Sequence, residues 1–156
     1  MAKKQYWLMK SEPDVYGIDD LERDGTEPWD GIRNYQARNF LRDSMNVGDL
    51  ALFYHSNATP PGVVGIMEVV SGPEPDELAF DPDSKYFDPK SDEENPRWIQ
   101  RQMGFVEKFP GMVSLQELKD DPKLEAMLVI KRGQRLSIQP VEKGHFDHVC
   151  KVARKK

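Results

Sequence analysis

The chain has 156 residues, 38% of them hydrophobic and 10% aromatic, with a formal net charge of −5. That size suits one globular domain with a real core, and that charge argues against a broad nonspecific grip on DNA. The single cysteine, Cys150, excludes a disulfide framework and fits a reducing compartment. No apolar run approaches the roughly 20 residues of a membrane span, and Met1–Lys4 leads into a strand with no secretory h-region, so a cytoplasmic protein is expected. The charge is uneven. Residues 131–156 hold eight Lys or Arg against Glu142 and Asp147, a net +6, which leaves −11 on the rest. A basic end on an acidic body can meet a phosphate backbone or simply solubilise a tail.

The first predicted element is the aromatic and apolar run Gln5–Met9, a central strand that ends before Pro13. A short helix is expected over residues 18–23, then a turn at Pro28-Trp29-Asp30-Gly31. Residues 34–42 suit a helix with Ala37, Phe40 and Leu41 on one face; Val47-Gly48-Asp49 closes it. Two strands, 50–55 and 62–70, flank a loop that contains Pro60-Pro61. Residues 72–97 are polar and carry five prolines. So long a segment inside a compact domain is functional or disordered, and Tyr86, Phe87 and the adjoining Trp98 favour order. A long strand follows over 98–109, with a bulge expected at Gly104. Ser114-Leu115-Gln116-Glu117 is a capping box that opens a helix, and Asp121-Pro122 opens another. Residues 136–140 form a late strand. Residues 142–153 form a closing helix with Phe146, Val149 and Val152 inward. Five or six strands with helices interspersed, but without regular alternation, predict an α+β fold: one domain over 1–156 built on a mixed, curled sheet or small barrel.

Motifs for catalysis and cofactors are sparse. His55-Ser56 and Ser11-Glu12 are adjacent pairs, and neighbours on a strand point to opposite faces. No nucleophile elbow surrounds either serine. His145, His148 and Cys150 form H-x-x-H-x-C, three ligands where structural zinc wants four. Neither a P-loop nor a G-x-G-x-x-G motif occurs. No cofactor and no metal is expected. What remains is a set of aromatic and amide-bearing side chains: Trp29, Tyr35, Tyr54, Tyr86, Phe87 and Trp98, with Lys10, Ser11, Arg33, Asn34, His55, Ser56 and Asn57 nearby in sequence. Aromatic faces that sandwich a flat ligand, and polar groups that read its edge, are what a nucleobase needs. Core packing is the competing use of the same aromatics.

Several ordered motifs carry a resemblance to a known family. Tyr6-Trp7-Leu8-Met9-Lys10-Ser11-Glu12-Pro13 resembles the opening of the EVE domain family. So do Trp29-Asp30-Gly31-Ile32-Arg33-Asn34-Tyr35-Gln36-Ala37-Arg38-Asn39, Phe53-Tyr54-His55-Ser56-Asn57, Tyr86-Phe87-Asp88-Pro89-Lys90, Pro96-Arg97-Trp98 and residues 135–141. The match runs from residue 5 to about 149. It implies a PUA-like fold, a mostly antiparallel curled sheet forming a pseudo-barrel with helices around it, shared with YTH domains, which trap N6-methyladenine in an aromatic cage. It also implies a monomeric, non-enzymatic reader of DNA or RNA that captures a modified base, such as 5-methylcytosine or N6-methyladenine, in an aromatic pocket. Lys10, Ser11 and Trp29 are similar to the Lys-Ser step and first cage tryptophan of YTH domains. The expected base pocket is Lys10, Ser11, Trp29, Asn34, Tyr35, Tyr54, His55, Ser56, Phe87 and Trp98, with Asn34 equally placed to cap the helix after it. Arg33, Arg38 and Arg42 are expected to contact phosphates. The rival readings are a nucleoside-processing enzyme that uses Glu12 and His55, and a protein-interaction adaptor that uses the 72–97 segment.

Overall fold

In the computed structural model, which describes residues 4–133 and 135–156, the alternation of side chains on two neighbouring strands divides the interior. Strands β1 (Tyr6–Ser11) and β3 (Leu50–His55) pair in parallel register, Tyr6 with Leu50 through Ser11 with His55. Trp7, Met9, Ala51 and Phe53 point to one side and join one apolar cluster. Leu8, Leu52 and Tyr54 point to the other and join a second. This is the period-two rule of a strand buried on both faces.

Around this pair the chain adds β2 (Thr26–Trp29), β4 (Gly62–Val69), β5 (Glu74–Pro75), β6 (Ile99–Ser114) and β7 (Ile138–Val141). The sheet order is β2-β6-β4-β3-β1-β7, with β5 against β6. Every pairing except β1 with β3 is antiparallel. Among the described residues this gives seven strands, more than the sequence suggested, because the short β2 and β5 carry little strand signal. The sheet is curled but not closed into a barrel. Among the described residues four α-helices accompany it: α1 (Ile18–Asp24), α2 (Tyr35–Asn39), α3 (Leu115–Asp120) and α4 (Lys143–Arg154).

Several local expectations are corrected. Pro28 and Trp29 lie on edge strand β2, where a missing amide is tolerated, and the turn begins only after them. The helix expected over 34–42 is regular for five residues and then widens into a π-helix, Phe40–Ser44. Its last carbonyls are met by a side chain the sequence did not flag. Arg101, buried on β6, donates to the carbonyls of Leu41, Met45 and Ser71 at 2.6, 2.6 and 2.9 Å. A cation there also complements the negative end of the helix dipole. Gly104 pairs regularly with Glu68, and the bulge sits two residues on, where Val106 falls between the Phe105–Met67 and Glu107–Ile66 pairs. The close crossing explains Gly65, since a side chain there would meet the Glu107 carbonyl. On α4, Phe146, Val149, Cys150 and Ala153 are buried, while Val152 is only partly so. The capping box at Ser114 and Glu117 forms as expected, with the Glu117 amide donating to Ser114 Oγ at 3.1 Å.

Candidate functional site

Strands β1 and β3 run in parallel, so their carboxyl ends emerge together. The Ser56 amide donates to the Ser11 carbonyl at 3.0 Å, and the Lys10 amide donates to the Ser137 carbonyl just before β7, at 2.9 Å. The end of β2 delivers Trp29 and Asp30 to the same place. A cleft of about 900 Å³ opens there, with Lys10, Ser11, Trp29, Asp30, Tyr86 and Arg135 among its walls.

The opposite wall comes from the 72–97 segment, which is ordered by charge more than by apolar burial. Asp76, fully buried, accepts from the Gly31 amide at 2.8 Å, the Leu78 amide at 2.9 Å and Arg33 Nη1 at 2.9 Å. Arg33 also donates twice to the Tyr86 carbonyl, at 3.1 and 2.7 Å. Cations and rings then alternate in a ladder. Arg38 lies over Tyr35 at 4.9 Å, Tyr35 stacks on Trp98 at 5.0 Å, and Arg33 bridges Trp98 at 5.2 Å and Tyr86 at 5.4 Å. Lys85 completes it over Tyr86 at 5.0 Å. Such contacts gain when partly desolvated. Gly31, at φ +73°, is required beneath this wall: a Cβ there would stand 3.0 Å from the Tyr86 ring.

Of the thirteen side chains expected at the site, four line the cleft: Lys10, Ser11, Trp29 and Ser56. Trp29 is only 7% exposed and meets Phe53 edge-on at 5.5 Å, so it belongs to the core as well as to the cleft wall. Asn34 caps α2 by accepting from the Ala37 amide at 3.0 Å. Tyr35 and Trp98 are spent on the ladder, and Trp98 Nε1 donates to Asp88 at 2.7 Å. Tyr54 is buried in the second cluster, with Lys10 over its ring at 5.8 Å. Phe87 lies on a separate shallow surface with Asp88 and Pro89. His55 Nε2 accepts from the Ile18 amide at 3.1 Å, at the start of α1. None of the three arginines lines the cleft. Arg33 is clamped on Asp76, Arg38 donates to the Arg97 carbonyl at 2.9 Å, and Arg42 pairs with Asp43 at 2.8 Å.

The cleft gains groups that sequence reasoning left out. Tyr86 stood among the noted aromatics, Asp30 within the Trp29–Asn39 motif, and Arg135 and Ser137 within the 135–141 motif, none of them singled out; Lys85 gave no local signal. The environment disfavours charge on two of its groups. Burial, with Asp76 and Glu27 close by, pushes the Asp30 carboxyl up to about 6. Burial likewise lowers the Lys10 ammonium, and no carboxylate pairs with it among the described residues. Ser11 Oγ donates to the Tyr16 carbonyl at 2.5 Å, leaving its lone pairs available. On α4, His148 bonds Asp121 at 2.6 Å and Cys150 is buried, so the H-x-x-H-x-C residues serve packing there.

Comparison with known proteins places the whole chain. It is 39% identical to human thymocyte nuclear protein 1 over 169 residues, covering 96% of this chain and 74% of that one. The crystal structure of a Pseudomonas syringae protein superposes with a TM-score of 0.90 at 44% identity, covering 95% of this chain and 99% of that one. The human THYN1 protein, crystallised in complex with DNA containing 5-methylcytosine, superposes with a TM-score of 0.90 at 40% identity, over 98% and 99%. The expectation of a cytoplasmic protein is corrected by these relatives, which are named nuclear proteins in human and chicken. The EVE domain model matches residues 5–152, and with the fold observed here, α+β and PUA-like, the chain belongs to the EVE domain family.

Proposed function

We propose that this chain is a non-enzymatic DNA reader that captures a methylated nucleobase of the 5-methylcytosine kind in the cleft between Trp29 and Tyr86. The observation that carries this reading is the cleft itself. Two aromatic side chains and the polar groups of Lys10, Ser11, Asp30 and Ser56 converge at the carboxyl ends of β1, β2 and β3, in a chain that superposes on a protein crystallised with 5-methylcytosine DNA.

The energetics support capture. Extruding a base from a duplex costs a few kcal/mol, and stacking on an aromatic returns ~1–3 kcal/mol per base. A buried methyl adds only about 0.8 kcal/mol, so selectivity needs the polar edge as well. Lys10, Lys85 and Arg135 line the mouth and are the cations best placed for flanking phosphates. The hydrolase alternative is the weaker reading: His55 does not line the cleft and accepts from the Ile18 amide, and Glu12, which does line it, accepts from Asn57 at 3.2 Å.

The test is a fluorescence titration with three otherwise identical duplexes that carry 5-methylcytosine, cytosine or an abasic site at one position. Affinity should fall in that order, with the abasic duplex at least about tenfold weaker than the methylated one. Equal affinity for all three overturns the reading. A single-stranded RNA arm that outcompetes the DNA transfers the same cleft to RNA.

A further inference from the structure

The Asp30 carboxyl is an acidic group of the cleft that neither the sheet pairing nor the loop clamp employs. It follows Trp29 at the end of β2 and lines the cleft beside Gly31 and Ile32. The neighbouring Gly31 amide is given to Asp76, and Arg33 is committed to Asp76 and the Tyr86 carbonyl. Among the described residues no other side chain donates a hydrogen bond to Asp30 or pairs with it. A half-buried carboxyl costs free energy unless something satisfies it. A fold selected for stability alone would place an apolar or amide side chain there.

We propose that Asp30 grips the N3/N4 edge of the captured cytosine-type base, a role that rests on the base-capture reading above. One carboxyl oxygen accepts the exocyclic N4–H, the pairing that suits an acidic side chain to cytosine. The other oxygen and ring N3 share one proton, taken up from solvent when the base binds. Thymine carries the same 5-methyl group but a carbonyl and an N–H at this edge, so it lacks the basic ring nitrogen that shares the proton. The edge, not the methyl, then separates the two bases. The environment favours the required proton, because burial, Asp76 and Glu27 all raise the Asp30 carboxyl, and together they outweigh the hydrogen bond from its own backbone amide and the field of Arg33. The other charged or titratable groups on the cleft are Lys10, Glu12, Tyr16, Lys85, Tyr86 and Arg135. His55 does not line the cleft and is engaged by the Ile18 amide.

Binding is measured from pH 5.5 to 8 with duplexes in which 5-methylcytosine or thymine faces an abasic site, so that neither base has to be unpaired. The wild-type protein should prefer 5-methylcytosine about tenfold at pH 6, and that preference should decay toward higher pH with a slope approaching tenfold per unit. Asp30→Asn keeps a carbonyl for N4–H and supplies a fixed N–H for N3. It should retain the preference and lose its pH dependence, and any titration of His55 or Lys10 survives in this variant and is subtracted. Asp30→Leu should abolish the preference while remaining folded by thermal melt. A wild-type preference independent of pH, or one that persists in Asp30→Leu, overturns the role of Asp30 alone. Failure of the wild-type protein to bind either duplex overturns base capture itself.

Discussion

The two faces of the sheet are built from different materials. The face that carries α4 is closed mainly by apolar packing, Leu118, Leu124, Val129, Val149 and Ala153 with Phe109 and Phe146, and has its His148–Asp121 pair at the partly exposed rim. The face behind the cleft mixes Trp7, Trp29, Phe53 and several methionines with polar groups buried in its walls: Asp49, Asp76 and Arg101. Each of those polar groups is saturated. Asp49 accepts from Trp7 Nε1 at 3.1 Å and from the Gln5 and Asn46 amides. The contrast teaches where specificity of shape is required. The helical face needs only to exclude water, whereas the cleft face must hold Trp29, Asp30 and Tyr86 in fixed relation. Hydrogen-bonded networks fix geometry in a way apolar packing does not.

The sharpest break of this comparison is a matched pair of truncations. Phe146→Ala on the helical face and Trp29→Ala on the cleft face should each cost ~3–5 kcal/mol of stability. Below the lowered melting temperature, Phe146→Ala should leave base affinity unchanged, while Trp29→Ala should lose a further ~1–3 kcal/mol of binding. Equal binding losses in both would erase the functional division of the faces. Next in size is Arg101→Met. It removes the charge that meets two carbonyls at the π-helix, Leu41 and Met45, and the Ser71 carbonyl after β4, and each buried carbonyl left unpaired costs about 1–3 kcal/mol. A melting temperature lowered by roughly 10 °C is expected, and an unchanged melt would show that the clamp is dispensable. Gly31→Ala is milder: a Cβ at positive φ against the Tyr86 ring should cost of order 1–3 kcal/mol. Its mark is a disturbed Tyr86 environment by NMR with the helical face silent.

How much of this was legible in the sequence differs between the faces. The helical face could be read off directly: the capping box at Ser114, the proline after Asp121 and the apolar spacing on α4 each encode one local element. The strands of the parallel pair were legible as well, because Leu50–His55 and Tyr6–Met9 are apolar at successive positions. The cleft face was not, because its residues act at a distance in sequence. Asp76 reaches back to Gly31 and Arg33, and Arg101 to Leu41, so nothing within a local window announces either. The aromatics misled for a related reason. Trp98 and Tyr35 are both expected in the base pocket, but stacking on each other and on arginines is an equally good use of a flat polarisable face. Resemblance supplied Lys10, Ser11 and Trp29, the positions that the local pattern alone left ambiguous.

A smaller effect sharpens the boundary between cleft and core. His55 accepts from the Ile18 amide through Nε2, and burial lowers its protonation below the ordinary value of 6.5. The folded state therefore prefers the neutral ring. Its stabilising contribution is complete above pH 6.5 and is lost as pH falls below that value toward the lowered native one. Melting temperatures between pH 7.5 and 5 should fall more steeply in the wild-type protein than in His55→Gln; parallel curves would remove His55 from the account. The smallest change concerns salt. If Lys85 and Arg135 hold phosphates, replacing both by Ala should lower the slope of log affinity against log salt by about two. The double alanine replacement of Arg38 and Arg42, occupied by the Arg97 carbonyl and Asp43, should leave that slope nearly intact; the reverse pattern would return the backbone grip to α2.

The alternating run from Arg38 to Lys85 bears on how freely the surface of this protein can drift. A segment fastened by burying a continuous apolar stripe has its composition dictated at almost every position by shape. The 72–97 segment is instead hooked at a few rings and at the carboxylates of Asp76 and Asp88, with exposed stretches between the hooks. Asp83, Glu93 and Glu94 are exposed, so mutation can redraw the electrostatic landscape that an approaching strand meets without shifting the Tyr86 wall. If the cleft captures a base, its preference is then open to tuning from outside, one surface charge at a time, while the fold and the Tyr86 wall stay constant.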